Sequence, residues 1–182
     1  MKQIILITGG QRSGKSIYAE QLALSIDNKP IYLATSRIWD DEFRQRVEIH
    51  KNRRGDNWEN IEEEKFISKH NVEGRTVLID CVTLWATNFF FDLQAESMKS
   101  AKADALHVEN TLNALKDEFN KFTKQEATFI FVTNEIGSGG VSENHTQRKF
   151  TDVEGWINQF IAQHADKVIL MVSGIPVTIK GQ

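Results

Sequence analysis

Residues 9–16 read Gly9-Gly10-Gln11-Arg12-Ser13-Gly14-Lys15-Ser16, which fits the pattern G-x-x-x-x-G-K-[ST]. Each part has a chemical reason. The glycines let backbone N–H groups turn inward around phosphate oxygens, and Lys15 reaches the β- and γ-phosphates. Ser16 offers a hydroxyl to Mg²⁺, while a following helix points its positive end at the anion. Such a loop needs an acid at the end of a neighbouring strand to hold the magnesium, directly or through water. Asp80 closes the apolar run Thr76-Val77-Leu78-Ile79 and is expected to do so. The alternative for Asp80 is a helix cap. Glu135, after Phe131-Val132-Thr133-Asn134, either orients water or substrate or is a solvated loop carboxylate.

A second cluster lies at residues 40–54, DDEFRQRVEIHKNRR. Acids lead and bases follow, which suits a helix dipole. Arg46, His50 and Arg54 are spaced i, i+4, i+8 and share one face, with Arg53 beside them. One reading is a solvated charged face. The other is an imidazole between guanidinium groups that grip phosphates. Cations keep such an imidazole neutral and nucleophilic and stabilise charge that builds at phosphorus. Of the other histidines, His70 falls near a helix end, His107 and His145 are expected to be exposed, and His164 ends a helical stripe.

These residues need a scaffold. Strands are expected at 3–8, 30–35, 76–80, 127–133, 167–172 and 175–179, and the first five are nearly continuous apolar runs, as in strands covered on both faces. Between them, Val108, Leu112, Leu115, Phe119 and Phe122 step by 4, 3, 4 and 3 along one helix face. Ile157, Phe160, Ile161 and His164 form another, whose start is obscured by Gly155. The alternation predicts one α/β domain over 1–182: a mainly parallel sheet with helices on both faces and a C-terminal edge hairpin turning at Ser173-Gly174. Ligands of such sheets bind at the carboxyl ends of the strands.

The chain also resembles a known family, the bifunctional adenosylcobinamide kinase / adenosylcobinamide-phosphate guanylyltransferases of cobalamin assembly. The resemblance covers nearly the whole chain. It is carried by ITGGQRSGKS (7–16), YLATS (32–36), the 40–54 segment, the Trp58-x-x-x-Glu62 spacing, LIDCVTLWATN (78–88), VTNEIGSG (132–139) and VSGIPVTIK (172–180). It implies a RecA-like P-loop fold assembled as a homotrimer. It implies nucleotide contacts from the loop Gly9–Ser16, from Ala34, Thr35 and Ser36, from Lys51, Asn52, Arg53 and Arg54, and from Glu62 and Leu84. It also implies that His50 becomes covalently guanylylated. The activities implied are phosphorylation of adenosylcobinamide by ATP or GTP, and transfer of GMP from GTP to the cobinamide phosphate. The chain departs from the family at Gly55 and Ser142, where proline is common, at Gly140, where isoleucine is, and at Thr151, where arginine is. A plain small-molecule P-loop kinase and a non-catalytic nucleotide-binding protein are the alternatives.

Composition sets the outer bounds. The 182 residues are 40% hydrophobic and 26% charged, enough for a full core without metals or disulfides. The net charge of −3 gives no global field for nucleic acid. The single cysteine, Cys81, excludes an internal disulfide, and a reducing compartment is the simplest setting. No apolar run approaches the ~20 residues of a membrane span, nor does the N-terminal one resemble a signal peptide. A cytoplasmic protein is expected. Trp39, Trp58, Trp85 and Trp156 are candidates to line a pocket for a large flat ligand, with core packing the commoner fate of such residues.

Overall fold

The computed structural model describes residues 2–38, 41, 55–94 and 101–181. All six expected strands form: β1 Gln3–Gly9, β2 Ile31–Ala34, β4 Thr76–Asp80, β5 Thr128–Val132, β6 Lys167–Val172 and β7 Ile175–Lys180. A seventh, β3 Glu59–Glu62, was not legible in its polar sequence. The order is β3-β2-β4-β5-β1-β6-β7. Every pairing is parallel except β6 with β7. That last hairpin turns on two residues, Ser173 at φ 52° and Gly174 at φ 84°. Two positive φ values in a two-residue loop match the strand twist, and glycine takes the second without strain.

The helices whose bounds fall among the described residues are α1 Lys15–Ile26, α2 Val82–Gln94, α3 Ala101–Phe122 and α4 His145–His164. Side chains alternate between the sheet faces, as period two requires. Ile4 and Leu6 of β1, Val77 and Ile79 of β4, and Phe129 and Phe131 of β5 face α2, α3 and α4. Ile5, Ile7, Leu78 and Ile130 face the other way, where α1 buries Ala19 and Ala23 and packs Tyr18 and Leu22 against them. The α3 stripe behaves as its spacing requires: Leu115, Phe119 and Phe122 are fully buried, and Val108 and Leu112 pack against them.

One expectation is corrected, and one open boundary is fixed. His107 is not exposed; it is 4% accessible, with its ring 4.5 Å from that of Phe90. It lies one position before the apolar stripe of α3, where α2 closes over it. Its pKa is lowered, by burial first and by Lys149 second, so it sits there as a neutral ring. The helix start that Gly155 left open lies well before it, and Gly155 is inside the helix. The α4 helix begins ten residues earlier, where the Asn144 side chain accepts from Gln147 N–H as an N-cap. Burial of Val153, Ile157 and Ile161 outweighs the glycine's cost of about 1 kcal/mol.

Candidate active site

The glycine-rich loop runs from the carboxyl end of β1 to the start of α1. Lys15 is buried, and its Nζ donates to the Gly10 carbonyl at 2.6 Å, so the ammonium lies folded over the loop. Burial lowers its pKa, and Cys81 and Asp80 oppose that shift. Asp80 carries the opposing charge, because burial pushes the Cys81 thiol up to about 12 and leaves it neutral. Asp80 stands at the end of β4, and β5 lies between β4 and β1. The acid is therefore two strands from the loop, not on the adjacent strand. Tyr32 Oη donates to its Oδ2 at 2.8 Å and orients the carboxylate.

A cavity of about 390 Å³ brings Arg12, Ser13, Gly14, Lys15 and Ser16 together with Asp80, Cys81 and Asn134. It holds the chemistry expected of a phosphate site: one ammonium, a helix N-terminus, a hydroxyl and a carboxylate. Ser13 Oγ is buried there with no hydrogen-bond partner among the described residues, which is how a loop shaped around an added acceptor would look. Ser16 and Asp80 are hard oxygen donors and fit Mg²⁺. Gly9, Gly10 and Gln11 complete the loop outside that lining. Glu135 is exposed, and its carboxylate accepts from Gly137 N–H at 3.3 Å, as a solvated loop residue does.

A second cavity of about 430 Å³ opens at the ends of β2 and β3, lined by Ala34, Ser36, Arg37, Ile38 and Glu62 to Glu64. It gathers three of the expected nucleotide contacts. Thr35 plays a different part. It is fully buried, donates to the Cys81 carbonyl at 2.7 Å and accepts from Cys81 N–H at 3.0 Å, so it clamps β2 to the head of α2. Leu84, in the first turn of α2, packs against the same apolar cluster as Ala34. His50, Lys51, Asn52, Arg53 and Arg54 lie outside the described residues, as does Trp39. Trp58 and Trp85 are core residues, whereas Trp156 is half exposed.

Several supporting residues were not legible in the sequence. Buried Asn88 donates from Nδ2 to the carbonyls of Thr35 and Glu64. Arg37 forms a two-pronged pair with Asp92 at 2.9 and 3.1 Å and bonds Glu64 at 2.7 Å; Lys65 bonds Asp92 at 2.7 Å. The Asp92 carboxyl is held well below the usual carboxylate range, first by Arg37 and then by Lys65. This cluster ties the segment after β2 to α2. Both partners are a quarter to a third exposed, so solvent screening limits the pair to about 1 kcal/mol. The shift is downward, so the stabilisation is present at neutral pH and fades as acid protonates Asp92. Asp92→Asn should cost a small fall in Tm at pH 7 that vanishes in acid, measured by thermal unfolding across pH.

The sheet, the loop and the offset acid define a P-loop nucleotide-binding protein. More particularly, the chain belongs to the cobinamide kinase / cobinamide phosphate guanyltransferase family, whose model matches residues 5–179. It is 37% identical over 182 residues to the bifunctional adenosylcobalamin biosynthesis protein CobU of Escherichia coli strain K12, covering 97% of this chain and 99% of that one. The protein of the same description from Salmonella typhimurium is 38% identical over 187 residues, with the same coverage. The corresponding CobP of Pseudomonas aeruginosa is 32% identical over 97% of each chain. Among solved structures, an ATPase from the type III secretion system of pathogenic bacteria superposes with a TM-score of 0.52 at 11% identity. That match covers 97% of this chain and 56% of the ATPase, and it speaks to the fold.

Proposed function

We propose that this protein phosphorylates adenosylcobinamide with ATP or GTP and then transfers GMP from GTP to the resulting cobinamide phosphate, giving adenosylcobinamide-GDP. The observation that supports this most directly is the cavity joining Lys15, Ser16 and Asp80 at the carboxyl edge of the sheet of a member of this family. The second cavity lies along the same edge. From β1 to β2 is three strand spacings, roughly 14 Å. A nucleoside triphosphate can thus lie with its phosphates on the loop Gly9–Ser16 and its nucleoside near Ala34, Ser36 and Glu62.

In the kinase step, Lys15 neutralises the β- and γ-phosphates while the acceptor hydroxyl attacks the γ-phosphorus; the hydroxyl gives up its proton, the bond from the γ-phosphorus to the bridging oxygen breaks and the nucleoside diphosphate leaves. Ser16 and Asp80 would hold Mg²⁺, which supplies charge neutralisation on the triphosphate. In the transferase step, a ring nitrogen of His50 attacks the α-phosphorus of GTP. A P–N bond forms, the bond to the β-phosphate oxygen breaks and pyrophosphate leaves. A phosphate oxygen of cobinamide phosphate then displaces the histidine. Splitting one displacement into two is the benefit of a covalent intermediate. Lys51, Asn52, Arg53 and Arg54 would bind the nucleotide beside it. The working assembly is a cytoplasmic homotrimer; the exposed apolar side chains Val172, Ile175, Val177 and Ile179 of the edge hairpin favour a subunit contact.

The test is intact mass after incubation with GTP and Mg²⁺. The native chain should gain the mass of one GMP, and His50→Ala should gain none. A nucleotide-binding native chain with no adduct would sink the transferase reading and leave a simple kinase.

A further inference from the structure

Two residues past β5, Asn134 reaches the carboxyl edge between β1 and β4 and lines the cavity with Lys15, Ser16 and Asp80. It is held by three hydrogen bonds to two residues. Its backbone N–H and its Nδ2 both donate to Thr83 Oγ1, each at 3.0 Å. Its carbonyl accepts from Asn158 Nδ2 at 3.1 Å. Thr83 in turn donates to Glu154 Oε1 at 2.7 Å. Thr133 Oγ1 lies 2.7 Å from Asn158 Oδ1 and 3.0 Å from Glu154 Oε1.

Counting protons gives the state of this network. Thr83 receives two N–H groups, so its own hydrogen goes to Glu154. Asn158 gives Nδ2 to Asn134, so its Oδ1 receives the Thr133 hydrogen. The Thr133–Glu154 contact then needs a hydrogen from the carboxyl group itself. Glu154 is fully buried, and its Oε2 has no partner among the described residues, as suits a neutral acid. Burial pushes its pKa up to about 7; Thr83 and Thr133 oppose this and Glu135 adds to it. The other faces are quiet. Cys81 at the head of α2 is a neutral thiol, β1 presents Ile4 and Leu6 to this side, and Asp104 and His107 of α3 face Lys149, more than a turn of α4 away.

We infer that Asn134 contacts the terminal phosphate of the bound nucleoside triphosphate through the second N–H of its amide, and that Glu154 is the positioning residue that holds it there as a neutral acid. The inference rests on reading the Lys15 cavity as the nucleotide site. Thr83 takes one Nδ2 hydrogen, which leaves the other for the cavity. If Glu154 ionises, it draws the Thr133 hydrogen away from Asn158 and loosens the Asn134 carbonyl.

The experiment measures affinity for Mg–GDP and for a non-hydrolysable Mg–GTP analogue between pH 6 and 8.5, with Tm recorded alongside. The readout is the ratio of triphosphate to diphosphate affinity. Asn134→Ala should lower that ratio roughly ten-fold or more, as loss of a hydrogen bond to a charged group does. In the native chain the ratio should fall as pH rises through the Glu154 titration, and in Glu154→Gln it should stay flat. An unchanged ratio in Asn134→Ala, or parallel pH profiles for the native chain and Glu154→Gln, would overturn the inference. A native chain that binds neither nucleotide would overturn the site reading beneath it. Cobinamide turnover does not enter, so failure of the proposed reaction is seen separately.

Discussion

Lys15→Met is expected to lower phosphoryl transfer to adenosylcobinamide by about 10²–10³ in kcat, the usual cost of removing a charge stabiliser from a transition state. The same change should leave folding intact or raise Tm slightly. The two effects part company for a physical reason. Lys15 is buried, and burial lowers its pKa, so the folded chain holds this ammonium at a cost. What it gains within the folded chain is one hydrogen bond to the Gly10 carbonyl and the field of Asp80. Methionine fills similar space without a charge to desolvate. The cation is kept for the phosphates, an instance of function held against stability. Steady-state phosphorylation assays and thermal unfolding on the same samples test this. A variant within ten-fold of the native rate would remove Lys15 from the mechanism.

The sheet was legible because its strands are covered on both faces, and such strands read as apolar runs. Where a strand has one neighbour and faces water, that signal disappears. Among the described residues, Glu59-Asn60-Ile61-Glu62 pairs with β2 alone, and most of it is exposed. The phosphate loop was legible because its chemistry is local, eight residues between a strand and a helix. The position of Asp80 relative to that loop was not local. The insertion of β5 between β1 and β4 is decided by long-range pairing, which no spacing in the chain records. The same holds for Glu154. In the sequence it is a carboxylate beside Gly155, and only the packing of α4 on β5 and α2 makes it a buried acid. His107 fails similarly, since a residue beside an apolar stripe is buried or exposed according to the helix that closes over it.

Two neighbouring glycines give the sharpest separation of what sequence and structure can say. Gly9 and Gly10 are equivalent members of the loop pattern, yet alanine should behave oppositely at each. Gly9 ends β1 with φ at +148°, and a Cβ there would stand 2.6 Å from the Met171 carbonyl oxygen and 2.9 Å from Ser13 Oγ. The first neighbour is backbone of β6, paired with β1 at that register, so it cannot swing aside. The unfavourable φ costs about 1–3 kcal/mol, and forcing strand and loop apart costs about the same again. For a chain of this length that is a fall in Tm of roughly 4–24 °C. At Gly10 a Cβ meets nothing within 4 Å, and the backbone is not in the left-handed region. Gly10→Ala should therefore melt within about 2 °C of the native chain. Because Ser13 and the loop must move to admit the Gly9 methyl group, Gly9→Ala should also weaken Mg–GTP binding below its melting range. Paired melting curves and nucleotide titrations decide it: equal Tm values for the two variants would mean that β1 and β6 do not approach as closely as the Met171 contact requires.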